Sequence, residues 1–244
     1  MLNAWFTIFW LSFRRMLWST TTLMVAFPLL GTALFVLRWR PGSWLHFTDG
    51  FVMVMFLTFL LPICALAYAT SSLGSDREER TLVFLLTRPV PRWLILLAKL
   101  CAALPLVMGL TVGSFWVFCR LSGNFGQAAL ECYLPAVFYM TLAYVGVFHL
   151  FAVAFRHSTI VALIYALFFE PLVSNMPGII NHVSIRFYGW SFVERASGKT
   201  SAAWSGFYEP VTQGSAVLTL AAIAVGTLLL AGIVFQRREY RDAA

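Results

Sequence analysis

The sequence predicts an all-α integral membrane protein of one domain, residues 1–244, with six transmembrane helices, an N-terminal interfacial helix and a short cytoplasmic helix between spans two and three. Three observations carry that reading. Hydrophobic residues make up 60% of the chain and charged residues only 11%, where soluble domains carry about 25% charged residues. Mean hydropathy is +0.81. The apolar residues fall in long runs near the ~20 residues that cross a ~30 Å hydrocarbon core as helix, not in the alternating segments of about ten residues that build a membrane barrel.

Residues 1–16 open the chain with "MLNAWFTIFWLSFRR". The charges follow the apolar run instead of preceding it, and no small-residue cleavage site appears, so a cleaved signal is not expected. Leu2, Phe6, Phe9, Phe13 and Leu17 recur at helical spacing and Arg14 and Arg15 close the segment. That pattern suits a helix lying in the headgroup plane; an extension of the first span is the simpler alternative.

Six spans follow, at about 17–37, 51–72, 94–118, 133–155, 158–175 and 214–235. Lipid offers no water to unpaired backbone groups, so each span must satisfy its own hydrogen bonds, and Pro28, Pro62 and Pro105 imply kinks packed against neighbours. Glu170 and Pro171 interrupt the fifth run, which predicts a broken helix or a shorter span followed by a re-entrant segment. Residues 176–212 form a long external connection whose apolar opening could re-enter the membrane and whose later part is polar and turn-rich.

Orientation follows from the loop cations. With the N-terminus cytoplasmic, the inner set is Arg14, Arg15, Arg77, Arg80, Arg88, Arg92, Lys99, Arg156, Arg237, Arg238 and Arg241, 11 of the 17 Lys and Arg residues. Arg38, Arg40, Arg120, Arg186, Arg195 and Lys199 lie outside. The bias places both termini in the cytoplasm. The net charge of +7 fits this rule and an anionic bilayer better than nucleic acid, since no basic patch with interleaved aromatics lies outside the spans.

The segment 74–92, within "GSDREERTLVFLLTRPVPRW" from Gly74 to Trp93, therefore faces the cytoplasm. Ser75 and Glu78 have capping-box spacing and the acids crowd a first turn, where a helix dipole favours negative charge, so a short helix is expected to start at Ser75. Its tail, Leu82 to Leu86, is apolar but too short to span, and Thr87 to Pro91 must end it. The plainer alternative is a solvated loop.

"DREERTLVFLLTRPVPRWLILLAKL" resembles the signature of type-2 ABC transporter permeases, the export-type membrane subunits in which a similar stretch follows the second span. The matching positions are Arg77, Glu78, Glu79, Thr81, Leu82, Leu85, Leu86, Arg88, Pro89, Val90, Arg92, Trp93, Ile95, Leu96, Leu97 and Lys99. Asp76 stands where the family has Glu, and Arg80 stands at its glycine position. The resemblance implies a coupling helix that docks into a groove on a separate ABC ATP-binding subunit, two copies of which act on a pair of permeases. Asp76, Arg77, Glu78, Glu79 and Arg80 would set charge and register there, Thr81 would follow them, and Leu82, Leu85 and Leu86 would anchor the contact. It also implies that the second permease is another copy of this chain or a homologous one, that ATP and magnesium sit on the partner with no cofactor on this chain, and that the assembly lies in a bacterial inner membrane. A periplasmic partner is a further expectation. Two alternatives stay open, ATP-driven mechanical transmission without solute transport and an intramembrane enzyme using Glu170 and His149.

"SGKT", Ser197 to Thr200, imitates the end of a phosphate-binding loop, but Val193 stands where the first glycine belongs and no strand is expected before it. A charge in lipid is costly, so Glu170 is the candidate for a substrate path or gate, with pairing to Arg120 or Arg186 or satisfaction near the interface as the structural alternative. His149 and His157 flank a chain reversal with no Cys or carboxylate beside them, so no metal site is expected. Cys64 and Cys101 lie within spans as small hydrophobes, while Cys119 and Cys132 fall at the outer ends of consecutive spans, where an oxidising periplasm would permit a disulfide. Linear catalytic signatures are not visible.

Overall fold

The computed structural model describes residues 2–39, 44, 46–78, 91–123, 126–176, 179–197 and 211–237, and among these every regular element is helical. Helix α1 is Leu2–Leu17 and α2 is Thr20–Trp39. Helix α3 begins as a π-helical stretch, His46–Leu60, and passes into α-helix at Leu61–Glu78. Helices α4 and α5 are Arg92–Leu121 and Gly126–Ala154. Helix α6 runs through Ser158–Ile164, a π turn at Tyr165–Phe169, and Glu170–Ser174. A 3-10 turn, Ile179–Val183, leads into α7, Ile185–Ser197, and α8 is Gln213–Arg237.

Among the described residues, five helices are long and apolar enough to cross a membrane: Thr20–Arg38, Gly50–Gly74, Arg92–Leu121, Gly126–Ala154 and Gln213–Arg237. At the expected fifth span lies a shorter apolar helix, Ser158–Ser174, whose rise of about 25 Å falls below the ~30 Å core. It is not broken at Glu170, because a π turn carries the helix past Pro171. Proline lacks the N–H that would close the preceding α turn, and a wider turn accommodates that loss. The same register change precedes Pro62, where Thr58 Oγ1 donates to the carbonyl of Met53, five residues back, at 2.9 Å.

Helix α5 is the axis of the bundle. It buries Tyr133, Val137, Met140, Tyr144, Phe148 and Val153 along its length and packs against α3, α4, α7 and α8. Small residues permit the closest approaches, as membrane helices require when hydrophobicity alone does not hold them together. A Cβ on Gly146 would lie 2.5 Å from Thr227 Oγ1 and 3.0 Å from the Ala224 carbonyl oxygen on α8. Gly189 of α7 similarly lies against the side chain of Met140. The turn from α4 to α5 bends at Gly123, whose φ of +78° is open to glycine without strain.

The contacts sort the helix ends into two groups. At one end Leu73 of α3, Leu96 of α4, Ala152 and Val153 of α5, and Ala231 and Phe235 of α8 form a separate apolar cluster. The same end holds the α1–α2 corner, where Tyr68 Oη of α3 donates to Thr22 Oγ1 at 3.0 Å. At the other end Phe51 of α3 meets Phe118 of α4 edge-on at 5.4 Å, and α7 covers the end of α6. Consecutive long helices therefore run in alternating directions. Helices α2 and α8 leave most of their apolar surface outside the core, with Leu23, Phe27, Leu30, Leu218, Leu229 and Ile233 exposed, as lipid-facing or partner-facing helices do.

The expected start of a helix at Ser75 is corrected. Helix α3 continues through Ser75, Asp76 and Arg77 to Glu78, so Ser75 sits within a helix and is no N-cap. The spacing of Ser75 and Glu78 is equally compatible with an uninterrupted helix, and nothing in Leu73 or Gly74 forced a stop.

Candidate functional site

The residues that flank the charged segment are brought together. Lys99 lies two turns inside α4, only 3% exposed, and its Nζ donates to the Ser72 carbonyl oxygen of α3 at 2.8 Å. Ser72 Oγ in turn lies 3.4 Å from His149 Nδ1 of α5, and His149 is fully buried. Three spans thus share one polar junction immediately above the apolar cluster of Leu73, Leu96, Val153 and Phe235. A buried ammonium needs such partners, because an unpaired charge in the bilayer interior is strongly unfavourable. Arg92, at the start of α4, donates to the Gln236 carbonyl at 3.4 Å and ties the same base to the end of α8.

The backbone of Asp76, Arg77 and Glu78 extends α3 beyond this junction. Glu79, Arg80, Thr81, Leu82, Leu85 and Leu86 lie outside the described residues. Ser72 and Lys99 lie on the two helices that lead into and out of the 76–91 segment, and their hydrogen bond joins those helices. The sequence places Lys99 both among the cytoplasmic cations and at the end of the stretch that resembles the permease signature. Its place deep in the apolar run "LILLAKL" was the available signal, because a charge there must either snorkel or find a buried partner.

Glu170 belongs to the opposite end. It is 2% exposed and accepts four hydrogen bonds: from Tyr165 Oη at 3.0 Å, Ser184 Oγ at 2.5 Å, and the backbone N–H groups of Ile185 at 3.1 Å and Arg186 at 3.3 Å. Ser184 Oγ also accepts from the Phe187 N–H at 3.4 Å. The first turn of α7 therefore has its free donors met by a serine cap and by a carboxylate from another helix, where the helix dipole favours negative charge. The expected ion pairs are not what holds it. Arg186 reaches Glu170 through its main chain while its guanidinium stacks 4.1 Å from the Trp190 ring, and Arg120 lies over Trp116 at 5.1 Å. Glu170 is an anchor for α7, with its acceptor capacity committed to protein donors.

The disulfide expectation is also corrected: Cys64, Cys101, Cys119 and Cys132 are all free thiols. Gly126 packs directly on the Cys119 carbonyl, which leaves Cys132 about 9 Å further along α5 at 1.5 Å per residue. That is beyond the ~7 Å Cα separation a bridge tolerates. Val193 lies within helix α7, so the residues before Gly198 form neither the strand nor the glycine loop of a phosphate-binding motif; Gly198, Lys199 and Thr200 lie outside the described residues. His157 stands at the exposed turn before α6, away from His149 in the interior.

Comparison with known families supplies the deciding observation. Residues 11–183, from α1 through the turn before α7, match the family described as ABC-2 family transporter protein. The chain belongs to that family. It is a multi-pass membrane permease of an ABC transporter, and members of the family are membrane components without a nucleotide-binding domain of their own that associate with an ABC ATP-binding subunit. No curated protein matches the chain. The matched region contains the whole charged segment together with Ser72 and Lys99.

Proposed function

We propose that the permease couples ATP hydrolysis by a separate subunit to export of a substrate across a bacterial inner membrane, with both termini in the cytoplasm. The observation that carries this reading is the Ser72–Lys99–His149 junction, which joins the helices on either side of the charged segment to each other and to α5. Two ATP-binding subunits, each holding ATP and magnesium, grip residues 76–86 of two permeases, the second being a copy of this chain or a homologue. Charge at Asp76, Arg77, Glu78, Glu79 and Arg80 sets the register, and Thr81, Leu82, Leu85 and Leu86 fill the groove. Closure of the ATPase pair then moves the segment, and the junction passes the motion into α3, α4 and α5.

A second reading has the same motion delivered to a periplasmic or membrane partner without solute transport. Purification of the native complex tests both. Export requires an ABC ATPase to co-purify and ATP-dependent transport to appear on reconstitution. A complex containing the ATPase but transporting nothing favours mechanical transmission, and a permease recovered without any ATPase refutes both.

A further inference from the structure

The corner between α1 and α2 holds an open groove of about 500 Å3 lined by Trp10, Leu11, Arg14, Arg15 and Trp18. Its volume falls within the range of about 300–1,000 Å3 typical of small-ligand sites. The corner is firmly seated. Phe9 and Phe13 pack on the core from the other face of α1 and Met16 is buried, Thr22 Oγ1 donates to the Met16 carbonyl at 2.6 Å, and Tyr68 holds Thr22 from α3.

Electrostatics at this corner favour an anion. Arg14 and Arg15 occupy the last turn of α1 and both are exposed at the groove they line. Apolar surface dominates the rest: Trp10 is 55%, Leu11 66% and Trp18 82% exposed. A free inorganic anion would satisfy the arginines and leave that surface in water. A phospholipid satisfies both, with its phosphate between the guanidiniums and its chains along Trp10 and Leu11, and tryptophan at headgroup level is the usual companion of such a site.

We infer that this groove binds one anionic phospholipid, selected by Arg14 and Arg15 and seated between Trp10 and Trp18. The site is built from residues of the α1–α2 corner and uses none of residues 76–86, so it stands whether or not the export reading does.

Native mass spectrometry of the purified, delipidated complex tests the inference, with phosphatidylglycerol and phosphatidylcholine of identical chains as probes. One tightly bound phosphatidylglycerol is expected, preferred roughly thirtyfold if each arginine contributes its usual share near an anionic surface. R14Q/R15Q should bring the two lipids to parity. R14K/R15K should keep most of the preference, and R156Q, a charge removed elsewhere in an exposed turn, should leave it intact. Equal binding of the two lipids, an unchanged preference in R14Q/R15Q, or displacement of the lipid by millimolar inorganic phosphate would overturn it.

Discussion

The Lys99 ammonium donates to the Ser72 carbonyl oxygen at 2.8 Å, joining residues 27 positions apart at the two roots of the charged segment. Ser72 extends the connection to His149 of α5, so helices before, after and beyond the segment meet in one buried place. The energetic logic is one of geometry more than of stability. The Ser72 carbonyl already lies within helix α3 and does not depend on Lys99 for its only partner.

Lys99→Met should therefore change stability by no more than about 1 kcal/mol, since an apolar side chain of similar length can replace a buried charge without net loss. ATP turnover of the assembled complex should fall severalfold. Thermal unfolding and ATPase rates on the same preparation check this, and a variant with wild-type turnover would remove Lys99 from the coupling route.

Glu170→Ala should destabilise the protein by about 3 kcal/mol, because it strands buried donors at the start of α7, each costing about 1–3 kcal/mol when unmet. Glu170→Gln retains one accepting oxygen but presents an amide to donors, so about 1–2 kcal/mol is expected. Limited proteolysis within Ile185–Ser197 should accelerate in the order wild type, Gln, Ala. Equal cleavage in all three would show that α7 does not depend on this carboxylate.

Gly146→Ala forces a Cβ into Thr227 and the Ala224 carbonyl on α8, and overpacking of this kind costs about 1–3 kcal/mol. Adding Thr227→Ala removes the side-chain clash and leaves the backbone one, so the double variant should recover part of the lost thermal stability. A double variant no better than the single would place the strain elsewhere.

All four cysteines should react in denatured, unreduced protein, since none is bridged. Intact mass after alkylation checks the count. Two missing labels would restore the Cys119–Cys132 bridge that the geometry excludes.

The long spans could be read from the sequence because apolar runs of that length leave a helix little alternative in lipid, and the boundaries of α2, α4 and α8 differ from expectation by only a few residues. Local grammar failed where helices could continue through it. Ser75 and Glu78 imitate a helix start, yet α3 passes through both, and Pro171 follows Glu170 without breaking α6. Glu170 stood out as a charge in lipid, but its partners are main-chain donors 15 and 16 residues later, and a sequence does not mark which backbone groups a fold will leave unmet. Lys99 and Ser72 were visible individually. Their contact depends on how α3 and α4 pair.

The central claim is that the segment rooted at Ser72 and Lys99 lies on the cytoplasmic side, where an ATP-binding subunit can grip it. Arg77→Cys in a background lacking the four native cysteines, treated with a membrane-impermeant maleimide, tests this most directly. The account predicts labelling in inside-out vesicles and none in intact spheroplasts. Labelling of intact spheroplasts would put Arg77 on the outer face and contradict it.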